Sequence, residues 1–138
     1  MPSCLAIETA TAHGGVAVVR DGAVVFERRF VSERSHHSQL FSPLSEALKL
    51  CRSDLRVIIV GTGPGSYTGA RIGIAAAQGL GLSLKVPVVG LLSVLVPEAE
   101  ALPREFVVCG DARRGRFFTA RVRNGLLEGE IALHDPDE

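Results

Sequence analysis

Apolar residues along the chain alternate with polar ones at its start, change to a helical spacing in its middle and alternate again near its end. The run CLAIET (residues 4–9) fits a short strand ending on an acid. The segments GGVAVVR and AVVFERRF flank Asp21-Gly22, and a two-residue type I′ turn wants positive φ at both central positions. Three strands are therefore expected before the first helix. Within SERSHHSQLFSPLSEALKLC, the residues Leu40, Leu44, Ala47, Leu48 and Cys51 recur at i, i+4, i+7, i+8 and i+11, one stripe of an α-helix. Pro43 interrupts that stripe without ending it, which predicts one kinked helix rather than a helix starting at Pro43 with Ser42 as its cap. VIIV (57–60) reads as a buried strand, 69–84 as a second helix and VPVVG (86–90) as another strand. The order βββ-α-β-α-β predicts an α/β domain, a mixed sheet with helices packed on it. SVLVPEAEAL predicts a further short helix, and Pro103 marks a boundary between lobes at 1–102 and 103–138.

The beginning of the pattern then recurs. FVVCGD (106–111) is again an apolar run ending on an acid, and RFFTARV and LLEGEIAL flank a second hairpin signal, Asn124-Gly125. Fourteen positions separate Glu8 from Gly22, and fourteen separate Asp111 from Gly125. The chain reads as starting one three-strand unit twice, with a second lobe that is short or truncated after HDPDE; the alternative is an unrelated β-ribbon.

Composition narrows the function classes. Formal net charge is zero, from 15 basic and 15 acidic residues, with no long basic run, so tight sequence-independent binding to nucleic acid by this chain alone is not expected. A hydrophobic content of 46% with 5% aromatic residues describes a core of Val, Leu, Ile and Ala, suited to a sheet covered by helices. Cys4, Cys51 and Cys109 lie far apart in apolar runs and read as reduced core residues. The first residues lack a basic n-region, and 72–84 is too short to span a bilayer, so a cytoplasmic protein without membrane association is expected.

The loop GTGPGSYTGAR (61–71) invites a phosphate cradle, but each familiar version fails on spacing. A P-loop needs lysine, and none occurs between Lys49 and Lys85. A dinucleotide fingerprint misses by one position, since Ser66 or Thr68 stands where its third glycine belongs. A nucleophile elbow would need glycine where Pro64 stands. What remains is a strand-to-helix turn with Ser66 or Thr68 as cap, or an anion held at the helix N-terminus. His36-His37 has no partner histidine at helical spacing, so no metal is expected there. Glu8 and Asp111 at two related strand ends fit either a metal-nucleotide held across a cleft or turn residues.

The second helix carries Gly69, Gly73, Ala76, Ala77 and Leu80 as a small-residue face that would let another helix approach, the first helix being its natural neighbour. No charge lies between Arg71 and Lys85, so an apolar two-helix surface is expected to need a protein partner.

The stretches LAIETAT, HHSQLFSPLSEAL, VIIVGTGPGSYTGARIGIAAAQGLGLSLKVPVVGLLS and VVCGDARRGRFFTARV together resemble the TsaB (YeaZ) family over nearly the whole chain. That resemblance implies an actin-like, ribonuclease H-like (ASKHA) duplicated βββαβαβ fold. It also implies a role in bacterial synthesis of threonylcarbamoyladenosine (t6A) in tRNA, as a non-catalytic subunit without catalytic residues. A TsaD-like catalytic subunit would pair with it through the two helices, and a TsaE-like ATPase would join the complex. A homodimer would form when the subunit is alone, and tRNA would be reached only indirectly. Interface candidates are Leu40, Leu44, Leu48, Arg71, Ile74, Ala75, Gln78 and Leu82, some of which can instead face the chain's own sheet. Candidate anion or nucleotide contacts are Glu8, Thr9, Gly65, Ser66 and Asp111; no cofactor is expected to bind tightly, with ATP or ADP entering at the level of the complex. The family commonly has aspartate where Glu8 stands. Its catalytic relative carries a paired-histidine metal motif where Leu40 and Phe41 follow His36 and His37. The rival reading is a small actin-like ATPase or sugar kinase using Glu8 and Asp111. A peptidase finds no nucleophile and base pair.

Overall fold

Buried and open positions alternate along β1 (Ser3–Glu8), β2 (His13–Arg20) and β4 (Leu55–Gly61), which lets one face of a sheet be apolar enough to hold helices. The computed structural model describes residues 1–31, 36–96 and 103–137, which divide into two compact units, Met1–Leu91 and Leu92–Glu138. In the first unit, β3 (Ala23–Val31) and β5 (Val88–Leu91) complete a five-stranded sheet of order β3-β2-β1-β4-β5. The first three strands are antiparallel, and β1/β4 and β4/β5 are parallel. Helices α1 (His36–Cys51) and α2 (Tyr67–Leu84) make the two connections on either side of β4. This is the expected βββ-α-β-α-β order.

The hairpin between β2 and β3 turns at Asp21 (φ 52) and Gly22 (φ 76), both left-handed as a type I′ turn requires. Helix α1 runs through Pro43 as one helix. Its stripe meets the sheet: Leu40, Leu44, Ala47 and Cys51 are buried with Leu5, Ile7, Val16, Val18, Ile58 and Val60. Arg20 pins the far end of β2 to the turn after α1, pairing with Asp54 at 2.9 Å and donating to the Leu50 carbonyl at 2.9 Å and the Ser3 hydroxyl at 3.0 Å.

The small-residue face of α2 divides: Ala76 and Leu80 line the side toward α1 as expected, and the remaining residues correct the sequence reading. Its buried residues are Gly69, Gly73, Ala77 and Gly81, spaced by four, and they press on the chain's own strands rather than on a second helix. A Cβ at Gly73 would overlap the Thr9 hydroxyl, and one at Gly81 would overlap Val88. Small residues here bring a helix down onto a sheet.

In the second unit, β6 (Glu105–Arg113), β7 (Arg116–Arg123) and β8 (Leu126–His134) form an antiparallel meander. A short 3-10 helix (Ser93–Leu95) contributes Val94, which is buried with Phe118 and Ala120. The rest of the helix expected in SVLVPEAEAL (97–102) lies outside the described residues. The β7–β8 turn places Asn124 (φ 52) and Gly125 (φ 75) as Asp21 and Gly22 are placed in the first unit. Cys51 is buried and Cys4 half-buried, but Cys109 is exposed on β6, so it is not a core residue. Among the described residues no helix is long and apolar enough to cross a membrane.

Candidate functional site

The glycine loop and the end of β1 lock together. The Thr9 side chain is fully buried and its hydroxyl donates to the Gly69 carbonyl at 2.6 Å, in the first turn of α2. The Ser66 N–H donates to the Ala10 carbonyl at 2.5 Å, and the Ser66 hydroxyl accepts from the Gly69 N–H at 3.1 Å as the helix cap. A Cβ at Gly65 would overlap the Ala10 carbonyl, and one at Gly61 would overlap the Glu8 carboxylate. Gly65 is therefore required by close approach of backbone, whereas at Gly61 the neighbour is the movable end of the Glu8 side chain. Of the five anion candidates, Glu8, Thr9, Gly65 and Ser66 are brought together, with the hydroxyls of Thr9 and Ser66 engaged inside the fold.

The two related acids do the same local work in their own units. Glu8 Oε1 accepts from the Ala10 N–H at 2.6 Å, and Asp111 Oδ1 accepts from the Arg113 N–H at 2.7 Å. Each carboxylate caps the backbone two residues further on, the turn-residue alternative of the sequence reading. Among the described residues no group of three His, Cys, Asp or Glu side chains could hold a metal ion, and the side chains of His36 and His37 lie outside that description.

A second feature lies between α1 and α2. An open groove of about 590 Å³ runs between them, lined by apolar side chains including Leu48, Ala76, Leu80 and Leu84, with Lys49 and Arg52 on its α1 side. Phe41, 59% exposed, stands on its wall, and Leu82, 83% exposed, projects from α2 outside it. Large apolar side chains this open are what a covering surface would bury.

The interface candidates separate on burial. Leu40 is 0% and Leu44 4% exposed; both belong to the core under α1, the sheet-facing alternative left open for these candidates, although Leu44 also floors the groove. Arg71, Ala75, Gln78 and Leu82 are exposed on α2, while Leu48 and Ile74 are half-buried. The sequence reading missed Phe41. Its signal was a second stripe, Phe41, Ser45 and Leu48 on α1 with Arg52 just past its end, at i, i+4, i+7 and i+11, one position along from the buried one. At the mouth of α2, Arg71 lies 5.1 Å over the ring of Tyr67, making an exposed cation–π pair.

The chain is similar to known proteins. The family model described as "TsaD: tRNA N6-adenosine threonylcarbamoyltransferase" matches residues 30–134. The tRNA threonylcarbamoyladenosine biosynthesis protein TsaB of Bacillus subtilis is 34% identical over 131 residues, covering 90% of this chain and 57% of its own length. The Escherichia coli protein of the same name is 35% identical over 138 residues, covering 91% of this chain and 58% of its own. The solved structure of YeaZ from Pseudomonas aeruginosa superposes with a TM-score of 0.83 at 26% identity, over 99% of this chain and 68% of that one. This chain therefore spans under two thirds of the length of these curated relatives.

Proposed function

The chain belongs to the TsaD family, among its TsaB (YeaZ) members, and from that premise we propose that it is a non-catalytic partner subunit in bacterial t6A synthesis on tRNA. A TsaD-like catalytic subunit covers the α1–α2 surface. A TsaE-like ATPase joins at the level of the complex, bringing ATP or ADP with it, and tRNA is reached through the partners. Alone, the chain pairs with a second copy through the same surface, in the cytoplasm.

The observation that carries this reading is the exposed apolar groove, bounded by Phe41 on α1 and continued on α2 by Ala75 and Gly79. It is supported by what the polar groups do: Glu8 and Asp111 spend a carboxylate oxygen on their own turns, and Thr9 and Ser66 hold the start of α2. These local bonds favour the partner-subunit reading over a nucleotide-hydrolysing rival that would recruit the same side chains. In the proposed complex this chain performs no bond-making step. Its contribution is a fixed surface that orders the catalytic subunit.

The test is co-purification of the full chain with a TsaD-like subunit, followed by t6A formation on tRNA with and without this chain. The expected result is a stable complex and modification that depends on both proteins. Tight binding and turnover of Mg-ATP by the isolated chain, measured by calorimetry, would instead favour the small ATPase reading.

A further inference from the structure

Three turns between described strands place side-chain-bearing residues in the left-handed region, and two of them use types that tolerate it. Asp21-Gly22 and Asn124-Gly125 are of that kind. The turn between β6 and β7 is not. There Arg113 (φ 70) and Arg114 (φ 57) precede Gly115 (φ 74), so two successive arginines occupy a conformation in which Cβ crowds the neighbouring carbonyl oxygen. Asn-Gly would make such a turn without that strain. Non-glycine residues held this way mark places where the side chain itself is wanted.

What these side chains bring is free charge. Both arginines are exposed, and among the described residues neither guanidinium has a hydrogen-bond or ion-pair partner. Two carboxylates beside the turn are engaged, since Asp111 Oδ1 accepts the Arg113 N–H and Asp135 pairs with Arg116 at 2.9 Å, while Asp137 follows Pro136, whose ring lies next to Gly115. The corresponding loop of the first unit, residues 9–12, carries no cation. A guanidinium is a planar fork that matches phosphate oxygens two at a time.

Going beyond the reading above, in which tRNA and nucleotide are reached through the partners, we propose that the Arg113-Arg114 turn is itself a phosphate-contacting site, taking the phosphates of an RNA backbone or of a polyphosphate nucleotide. Because the chain as a whole is neutral, the attraction is local, and binding is weak and steeply salt-dependent.

The test uses the full chain and two probes, a tRNA transcript followed by fluorescence anisotropy and ATP followed by calorimetry, each at about 50 mM and about 200 mM salt. The double variant Arg113→Gly with Arg114→Asn removes both charges and supplies residues suited to the turn, so the fold is kept. The expected result is a higher melting temperature together with about tenfold weaker binding of at least one probe, and a salt slope reduced by about two. Loss confined to tRNA identifies the RNA backbone as the source of the phosphates, and loss confined to ATP identifies the nucleotide. A control pair, Arg104→Ser with Arg121→Ser, removes the same charge from exposed side chains elsewhere in the unit. No binding of either probe by the unaltered chain, equal loss in the control pair, or a lowered melting temperature in the turn variant would each overturn the proposal.

Discussion

At Gly65 a methyl group would overlap the Ala10 carbonyl, which is a backbone atom and cannot swing aside as a side chain would. That same carbonyl accepts the Ser66 N–H, so moving it also breaks the bond joining the end of β1 to the loop. Gly65→Ala is therefore expected to destabilise the fold by about 1–3 kcal/mol, the range for overpacking a close contact. Gly61→Ala is a useful contrast, because its methyl meets the end of the Glu8 side chain, which can turn away after losing one hydrogen bond. Chemical denaturation of the two variants checks the ranking. An equal or smaller loss at Gly65 would show that the loop yields more easily than its contacts imply. The loop that holds these glycines was visible in the sequence as a strand-to-helix turn, and its glycines as residues for tight geometry. Their reason was not, because the atoms that exclude a Cβ at Gly61 and Gly65 come from Glu8 and Ala10, more than fifty positions away.

Between elements, the Arg20–Asp54 pair joins the end of β2 to the entry of β4, helped by the Ser3 N–H donating to the Asp54 carbonyl at 2.9 Å. Desolvation pushes the Asp54 carboxyl upward, but hydrogen bonds from Arg20 and Ser3 and the positive charges of Arg20 and the N-terminus outweigh it and hold it below the usual carboxylate range. A carboxyl with a lowered folded pKa stabilises the fold above its unfolded value of about 4 and loses that contribution as pH falls through the folded value. The stability gap between the unaltered chain and Asp54→Asn should thus be widest near neutral pH and close below about pH 4. Thermal melts across that range decide it; a gap independent of pH would place the effect in packing. The elements themselves were legible from periodicity: the stripe from Leu40 to Cys51 gave α1 through Pro43, and Asp-Gly and Asn-Gly gave both hairpins. The direction of the α2 small-residue face was not. Spacing by four reveals a face, but only the tertiary fold reveals that Thr9 and Val88 occupy the other side of it.

For the molecule as a whole, the packing core and the proposed docking surface share two helices, and substitutions should separate them. Leu44 is buried under α1, so Leu44→Ala is expected to cost about 2–5 kcal/mol of folding stability and to weaken a complex only by unfolding the chain. Leu82 is almost fully open on α2, so Leu82→Asp leaves the isolated fold within about 0.5 kcal/mol of its starting stability, as exposed substitutions generally do. If a TsaD-like subunit or a second copy of the chain covers this surface, the same aspartate buries an unpaired charge. It should then weaken association at least tenfold, about 1.4 kcal/mol. Phe41→Ser tests the α1 wall of the groove in the same way. Light scattering of the chain alone and titration against the partner, each paired with a melting curve, distinguish the cases. Association unchanged by both Leu82→Asp and Phe41→Ser would place the partner on another face. Loss in the titration without loss in self-association would assign the groove to the partner and leave the homodimer to a different surface.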